Sequence, residues 1–251
     1  MNIDFHVHSK ITSPFKFDAL YLDKYSEECK LLGVDAIVLL EHCHAKYFEE
    51  TFEYVEHNYE KTEDSYNING LTVFTGIEVT TLEKFDVVVM AKREYVLKIK
   101  KDIDEFLVKE KYDYIPIEKL LDMLNSNEAI IILAHPYRRF DVFPNVNFEI
   151  FEKLDAVEIN ATDLYKFGIN ENTKRIKELG KKLGKSIVAG SDSHHPLQVG
   201  SVWTSIDGSY TKVLDIKEKM KLGNLEIGIA NNIEEKISKA REIKKSLCGK
   251  A

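Results

Sequence analysis

Cysteine is scarce in this chain, with three residues (Cys29, Cys43 and Cys248) in 251 positions. Their spacing matches neither a disulfide framework nor a thiolate metal site, which excludes a disulfide scaffold and a cysteine-built zinc module. A reducing, cytoplasmic compartment is the expectation. Long apolar runs are missing too: none approaches the roughly 18–20 residues of a membrane span. No basic stretch followed by an apolar one opens the chain, so no secretory signal is read. The first motif begins at Asp4, which leaves little room for a leader. Positive charge is also short, with 35 basic against 42 acidic residues and a net charge of −7. Such a balance gives no overall pull toward nucleic acid or anionic membrane, although bound cations would reverse the sign locally. No Pro/Gly/Ser-rich linker and no low-complexity tract divides the chain. One domain over 1–251 is expected, with a helical tail from about residue 207.

What is present is alternation. Strand-like apolar runs stand at 2–8, 35–40, 71–79, 86–91, 129–134, 155–160 and 186–190. Helix-like segments stand at 17–32, 45–64, 94–109, 116–125 and 166–184, followed by a strand at 201–206 and helices at 210–221 and 231–247. Buried, β-branched strands alternating with helices predict a parallel α/β sheet covered by helices. Seven or eight such units point to a closed or distorted barrel, with a doubly wound open sheet as the alternative. The last helix carries Ile233, Ile237, Ala240, Ile243 and Leu247 as one stripe, which predicts docking on the core.

The polar residues fall in a pattern. Asp4, His6 and His8 occupy every second position of the first strand, which predicts one shared face. Glu41, His42 and His44 follow the second strand, Glu78 ends the third, and His135 follows the 129–134 strand in Ala-His-Pro. Asp192, His194 and His195 follow the 186–190 strand. Singly, each has a structural reading: Pro136 can hold His135 extended, and Asp-Ser-His can cap a helix. Together they share one placement, the carboxyl ends of strands, which converge on one face of a barrel. His57 stands apart in a polar segment and reads as a solvated residue. Imidazoles and carboxylates without thiolate suit Zn²⁺, Mn²⁺ or Fe²⁺ and hydrolytic chemistry. His6, His8, His42, Glu78, His135, Asp192 and His194 are too many ligands for one ion, and a carboxylate such as Glu78 is able to bridge two.

With Asp4-x-His6-x-His8, Glu41-His42, Gly76-Ile77-Glu78, Ala134-His135-Pro136 and Gly190-Ser191-Asp192-Ser193-His194 in this order, the chain resembles the polymerase-and-histidinol-phosphatase (PHP) family. The resemblance spans residues 4 to 194. It implies a distorted (β/α)7 TIM-like barrel, two to three divalent metals at the carboxyl ends of the strands, and phosphoester hydrolysis. It implies that His6, His8, Glu78 and Asp192 hold a first metal, that Glu78 bridges to a second shared with His135, and that His42 and His194 hold a third. Relatives often have a further His or Asp after the His-x-His pair. Here Asp18 is the only carboxylate in that stretch, either a ligand or a helix cap. Asp86 stands where many relatives have a histidine on the second metal, which would tilt the site toward harder ions such as Mn²⁺. Glu41 stands where an Asp is more usual, behind the ligands.

The expected reaction is attack on phosphorus by a metal-activated water. Arg138 would clamp the phosphate or form an ion pair, with Arg139 and Lys10 as weaker candidates. His195 would protonate the leaving group or pack beside Pro196, and Asp4 would orient His6 or His8. A small phosphorylated metabolite or nucleotide is the expected substrate. No stacking module or basic stripe argues for long nucleic acid. A non-catalytic, metal-binding or regulatory PHP module and a metal-dependent amidohydrolase are the rival readings. The extra lysine ligand usual in amidohydrolases has no counterpart here.

Overall fold

In the computed structural model, which describes residues 1–12, 15–140, 143–144 and 147–248, the alternating segments wrap into a barrel. In chain order they are β1 (Asn2–His8), α1 (Leu20–Leu32), β2 (Ala36–His42), α2 (Phe48–Asn58), β3 (Glu60–Thr62), β4 (Ser65–Ile68), β5 (Leu71–Thr80) and β6 (Asp86–Ala91). Then come α3 (Arg93–Glu110), α4 (Ile117–Met123), β7 (Ala129–Ala134), β8 (Ala156–Asn160), α5 (Ala161–Phe167), α6 (Ile169–Leu183) and β9 (Ser186–Gly190). Finally β10 (Val202–Ser205), α7 (Val213–Lys221), β11 (Glu226–Ile229) and α8 (Ile233–Cys248) complete the described chain.

Seven strands line the barrel in the order β1-β2-β5-β6-β7-β8-β9. The ring is drawn together where β9 returns to β1: the His8 amide donates to Ser193 O at 2.8 Å and the Asp192 amide to His6 O at 2.8 Å. β10 runs antiparallel to β1 and carries β11 on its outer edge. The architecture is thus the expected distorted seven-stranded α/β barrel, and the open-sheet alternative falls. The distortion has one source. β6 is antiparallel to both β5 and β7, so its amino end lies where its neighbours' carboxyl ends lie.

Side-chain alternation builds two layers. Along β6 and β7, Val88, Met90, Ile130, Ile132 and Ala134 fill the interior with Phe5, Leu40 and Phe74. The intervening Val87, Val89, Ile131 and Leu133 pack outward under α3, α4 and α6. This period of two is what a sheet buried on both faces requires. α7 closes the amino ends of the strands with Val213, Ile216 and Met220. Its Lys217 Nζ donates to Ala129 O and pairs with Asp155, both at 2.8 Å.

Three sequence expectations are corrected. The segment 45–64 is not one helix: α2 stops at Asn58 and β3 and β4 form a hairpin on the edge of β5. The helix expected over 166–184 divides at Gly168 into α5 and α6. The α8 stripe buries Ile233, Ile237 and Ala240, but Leu247 is exposed. Among the described residues no helix is long and apolar enough to cross a membrane.

Candidate metal centre

Every strand end at one mouth of the barrel delivers a polar side chain. The ring nitrogens His6 Nε2 and His8 Nε2 face each other at 3.1 Å. Asp192 Oδ1 lies 3.3 Å from His8 Nε2 and 3.5 Å from His6 Nε2. Glu78 stands between two groups: Oε1 is 3.0 Å from His135 Nε2, and Oε2 is 2.7 Å from His42 Nδ1, 3.4 Å from His8 Nε2 and 3.7 Å from His6 Nε2. His194 stacks on His8 with centroids 4.1 Å apart and planes 4° from parallel. Three trios of ligand atoms result: His6, His8 and Asp192; His6, Glu78 and His135; His8, His42 and His194. All seven ligand candidates from the motifs therefore meet in one place.

The donor set fits a divalent cation. His8 Nδ1, His42 Nδ1 and Glu78 Oε2 are buried without a hydrogen bond, although the last two approach to 2.7 Å. Buried polar atoms are almost always satisfied. Orphaned atoms gathered in a cluster of imidazoles and carboxylates are best explained by cations bound among them, and Glu78 Oε2 and His42 Nδ1 converge on one such place. Backbone strain marks the same place: His135 has φ 29° and Asp192 φ 53°, values uncommon outside glycine and concentrated at functional sites.

Electrostatics follow from crowding. Burial disfavours the imidazolium of His6, yet Glu158, Glu78 and Asp192 outweigh it and hold its pKa well above the ordinary value. His42 is raised against burial, chiefly by Glu78. His8 goes the other way, kept well below by burial and by neighbouring His194 and His42. Burial and the nearby Lys244 ammonium push His194 down to about 3. Burial works to raise Glu78 and Asp192, but His42 and His6 hold the first, and Arg138 and His6 the second, well below the usual carboxylate range.

One partner escaped sequence reasoning. Glu158, buried on β8, takes His6 Nδ1 at 2.8 Å on Oε1 and accepts the His135 amide at 2.9 Å on Oε2. It fixes which His6 nitrogen faces the cluster, the usual task of a carboxylate behind a ligating histidine. The sequence signal was an acid inside the apolar strand Ala-Val-Glu-Ile. Gly190 makes room for it: a Cβ there would fall 2.2 Å from Glu158 Oε1 and 2.4 Å from His6 Cβ. Glu158→Gln is expected to weaken metal affinity about 10–100-fold with the fold retained, measured by competition with a chelating dye. Unchanged affinity would remove Glu158 from the site.

Other expected residues lie elsewhere than the motifs suggested. Asp4 does not share a face with His8. A register shift between Asp4 and Val7 sets Asp4 beside outward-facing Ile37 but His8 beside inward-facing Leu40; a bulge reverses the alternation. The Asp4 carboxylate instead accepts amides of His6, Ser191 and Gly200 at 3.2, 2.8 and 2.9 Å, tying β1 to the β9 loop. Burial raises its pKa to about 6. Asp18 is exposed, accepts the Leu20 amide at 3.1 Å at the start of α1, and is in none of the three trios. Asp86 stands behind His135, 3.5 Å from Nδ1, with its oxygens taken by Thr80 and by the Arg139 guanidinium, whose Nη2 lies at 3.0 Å. It is outside the three trios. Arg138 is bound three ways: to Asp163 at 3.0 Å, Asn160 at 2.7 Å and Asp192 at 2.6 Å. Glu41 secures the loop after β1 through the Ser9 hydroxyl at 2.6 Å. Lys10 donates to Lys46 O and Tyr47 O rather than facing the cluster. His195 packs its ring edge-on to Tyr21 and accepts the Leu197 amide at 3.3 Å.

A cavity of about 340 Å³ opens beside the cluster, lined by Ile11, Arg138, Asp192, His194, His195 and Lys244 among others. A larger one of about 770 Å³, among Ser126, Lys153, Lys185 and Lys217, lies at the far end of the barrel and reaches none of these groups.

Residues 170–225, which include Asp192 and His194, match the PHP-associated family model. That stretch is under a quarter of the chain, and the barrel fold as a whole is shared with solved structures. PsfC from Pseudomonas syringae superposes with TM-score 0.78 at 18% identity, covering 98% of each chain. The lesion-specific endonuclease PfuEndoQ from Pyrococcus furiosus matches with TM-score 0.62 at 13% identity, over 90% of this chain and 57% of that one. A candidate metal-dependent phosphoesterase from Bifidobacterium adolescentis matches with TM-score 0.52 at 11% identity, over 88% of this chain and 96% of that one. No curated protein matches. The match over 170–225 and the shared barrel fold agree with the resemblance carried by the motifs.

Proposed function

We propose that this chain is a metal-dependent hydrolase of small phosphomonoesters. The carrying observation is the meeting of seven imidazole and carboxylate ligands in three overlapping trios at one barrel mouth. His6, His8 and Asp192 would hold one ion, Glu78 and His135 a second beside it, and His42 and His194 a third. Zinc, manganese and iron all suit these donors. When bound, such ions lower the pKa of water toward neutrality and offset charge on a phosphoryl group. The chain supplies the rest: Glu158 and Asp86 orient His6 and His135, Arg138 orients Asp192, and the adjoining cavity admits the substrate. A complete ligand set disfavours the purely regulatory reading. Three free cysteines accord with a cytoplasmic setting.

Substrate size is the open contrast with the endonuclease fold. The related endonuclease Q has been seen with a 27-mer duplex carrying an abasic lesion at its active site. Two observations favour a small molecule here. The cavity beside the ligands is about 340 Å³, the lower end of small-ligand pockets, and the chain's net charge is −7. The test is hydrolysis of p-nitrophenyl phosphate by chelated protein and by protein reloaded with Mn²⁺ or Zn²⁺, beside an abasic duplex oligonucleotide. Reloading is expected to raise ester hydrolysis at least about tenfold and leave the duplex intact. Equal rates with and without metal would overturn the hydrolase reading, and cleavage of the duplex would overturn the small-substrate one.

A further inference from the structure

The cluster is crowded with ligands, but its cavity has a second wall made by the last helix. Ile233, Ile237 and Ala240 bury one face of α8. Lys236 pins it to α1 by an ion pair with Glu28 at 3.1 Å. Docked this way, α8 presents Arg241 and Lys244 to the cavity that also contains Asp192 and His194. The Arg241 guanidinium lies over the Tyr165 ring at 5.4 Å, which orients its fork. Lys244 is partly buried and, among the described residues, makes no ion pair. Asp192, Arg138 and Arg241 all lie near enough to act on its charge. Arg138 already pairs with two carboxylates, Asp163 and Asp192, and donates to Asn160 as well. Among the described residues, the lysine and arginine of this cavity that have no carboxylate in ion-pair contact are Lys244 and Arg241, both on α8.

A partly desolvated ammonium with no carboxylate in ion-pair contact, and only the more distant Asp192 to attract it, is costly, and an anion in the cavity would offset that cost. Guanidinium and ammonium together suit phosphoryl oxygens, the first as a planar fork and the second as a point charge. Resting on the phosphomonoester reading above, we propose that Lys244 and Arg241 form the subsite for the non-bridging oxygens of the substrate phosphate. This makes α8 the element that selects a dianionic monoester over a monoanionic diester.

The test uses the full chain loaded with Mn²⁺. Inorganic phosphate binding is measured by calorimetry for the parent, Lys244→Ala, Lys244→Arg and Arg241→Ala, with metal content measured in parallel. Lys244→Ala is expected to weaken phosphate binding at least tenfold and Arg241→Ala at least threefold, while Lys244→Arg recovers most of the loss and metal content stays at the parent level. In turnover, Lys244→Ala should raise KM for p-nitrophenyl phosphate by the same factor, with kcat within twofold. KM for bis(p-nitrophenyl) phosphate should change less than twofold. Phosphate affinity within twofold of the parent, equal losses on both esters, or loss of metal alongside phosphate would each overturn the subsite. If the parent hydrolyses neither ester yet binds phosphate through Lys244, the subsite stands and the hydrolase reading falls.

Discussion

A Glu78→Gln protein is expected to hydrolyse p-nitrophenyl phosphate about 1,000-fold more slowly than the parent, the several kcal/mol of transition-state stabilisation that a bound divalent ion supplies. Glu78 is the one side chain whose two oxygens face both sides of the cluster, His135 through Oε1 and His42, His8 and His6 through Oε2. Glutamine keeps its volume in a site where Glu78 is buried, so packing in the barrel survives. It loses the negative charge and turns an N–H₂ donor toward atoms that need an acceptor or a cation. Metal content should fall by at least one equivalent, read by elemental analysis, with circular dichroism unchanged. Asp86→Asn makes the contrast: its carboxylate lies behind His135 and is held by Arg139 and Thr80, and about 10–100-fold is the scale for such outer partners. Full activity in Glu78→Gln would remove it from the reaction, and loss of the fold would assign it to structure alone.

The ligands were legible because chemistry and position coincide in them. His6, His8, His42, Glu78, His135, Asp192 and His194 end strands whose apolar runs are plain in the sequence, and β7 and β9 have the very bounds those runs predict. Strand direction was not legible, since Asp86 to Ala91 reads the same either way. The clue was length: only residues 81–85 separate β5 from β6, too few for the crossover that a parallel pair needs. The β4–β5 hairpin was missed although Asn69-Gly70 joins the two strands, and Asn-Gly is a strong hairpin signal. Asp4 was misplaced because no residue pattern announces the bulge that turns it from His8. Glu158, Arg241 and Lys244 needed tertiary structure. Glu158 matters through a contact 152 residues away, and the cations of α8 matter only once that helix has docked across the barrel mouth.

Removing metal is expected to lower Tm by roughly 8–16 °C at pH 8 and by clearly less at pH 6. A ligand at 1,000 times its Kd adds about 4 kcal/mol, and about 2–4 °C per kcal/mol applies to a domain of this size. The pH dependence comes from the buried charges. Without metal, burial opposes the imidazolium forms of His6 and His42, but Glu158 for the first and Glu78 for the second hold both pKa values above the unfolded one. A raised histidine stabilises the fold fully below its unfolded pKa, near 6.5, and that contribution is lost as pH rises through the folded value. Glu78, Asp192 and Glu158 are lowered despite burial. Their contribution is present above the ordinary carboxylate pKa and lost as pH falls through the folded ones. His6 and His42 therefore favour the metal-free barrel in mildly acidic solution, whereas His8 and His194, held below the ordinary value, favour it above the unfolded histidine pKa and offset that trend. Metal must displace the protons of His6 and His42, so its affinity grows with pH. With the histidine contributions of the stripped protein opposing one another, it is this competition between proton and metal that widens the gap between loaded and stripped protein as pH rises. Differential scanning fluorimetry at pH 6 and pH 8, with Mn²⁺ and with chelator, reads it directly. A gap independent of pH, or widest at pH 6, would mean that these imidazoles do not give up protons to a cation.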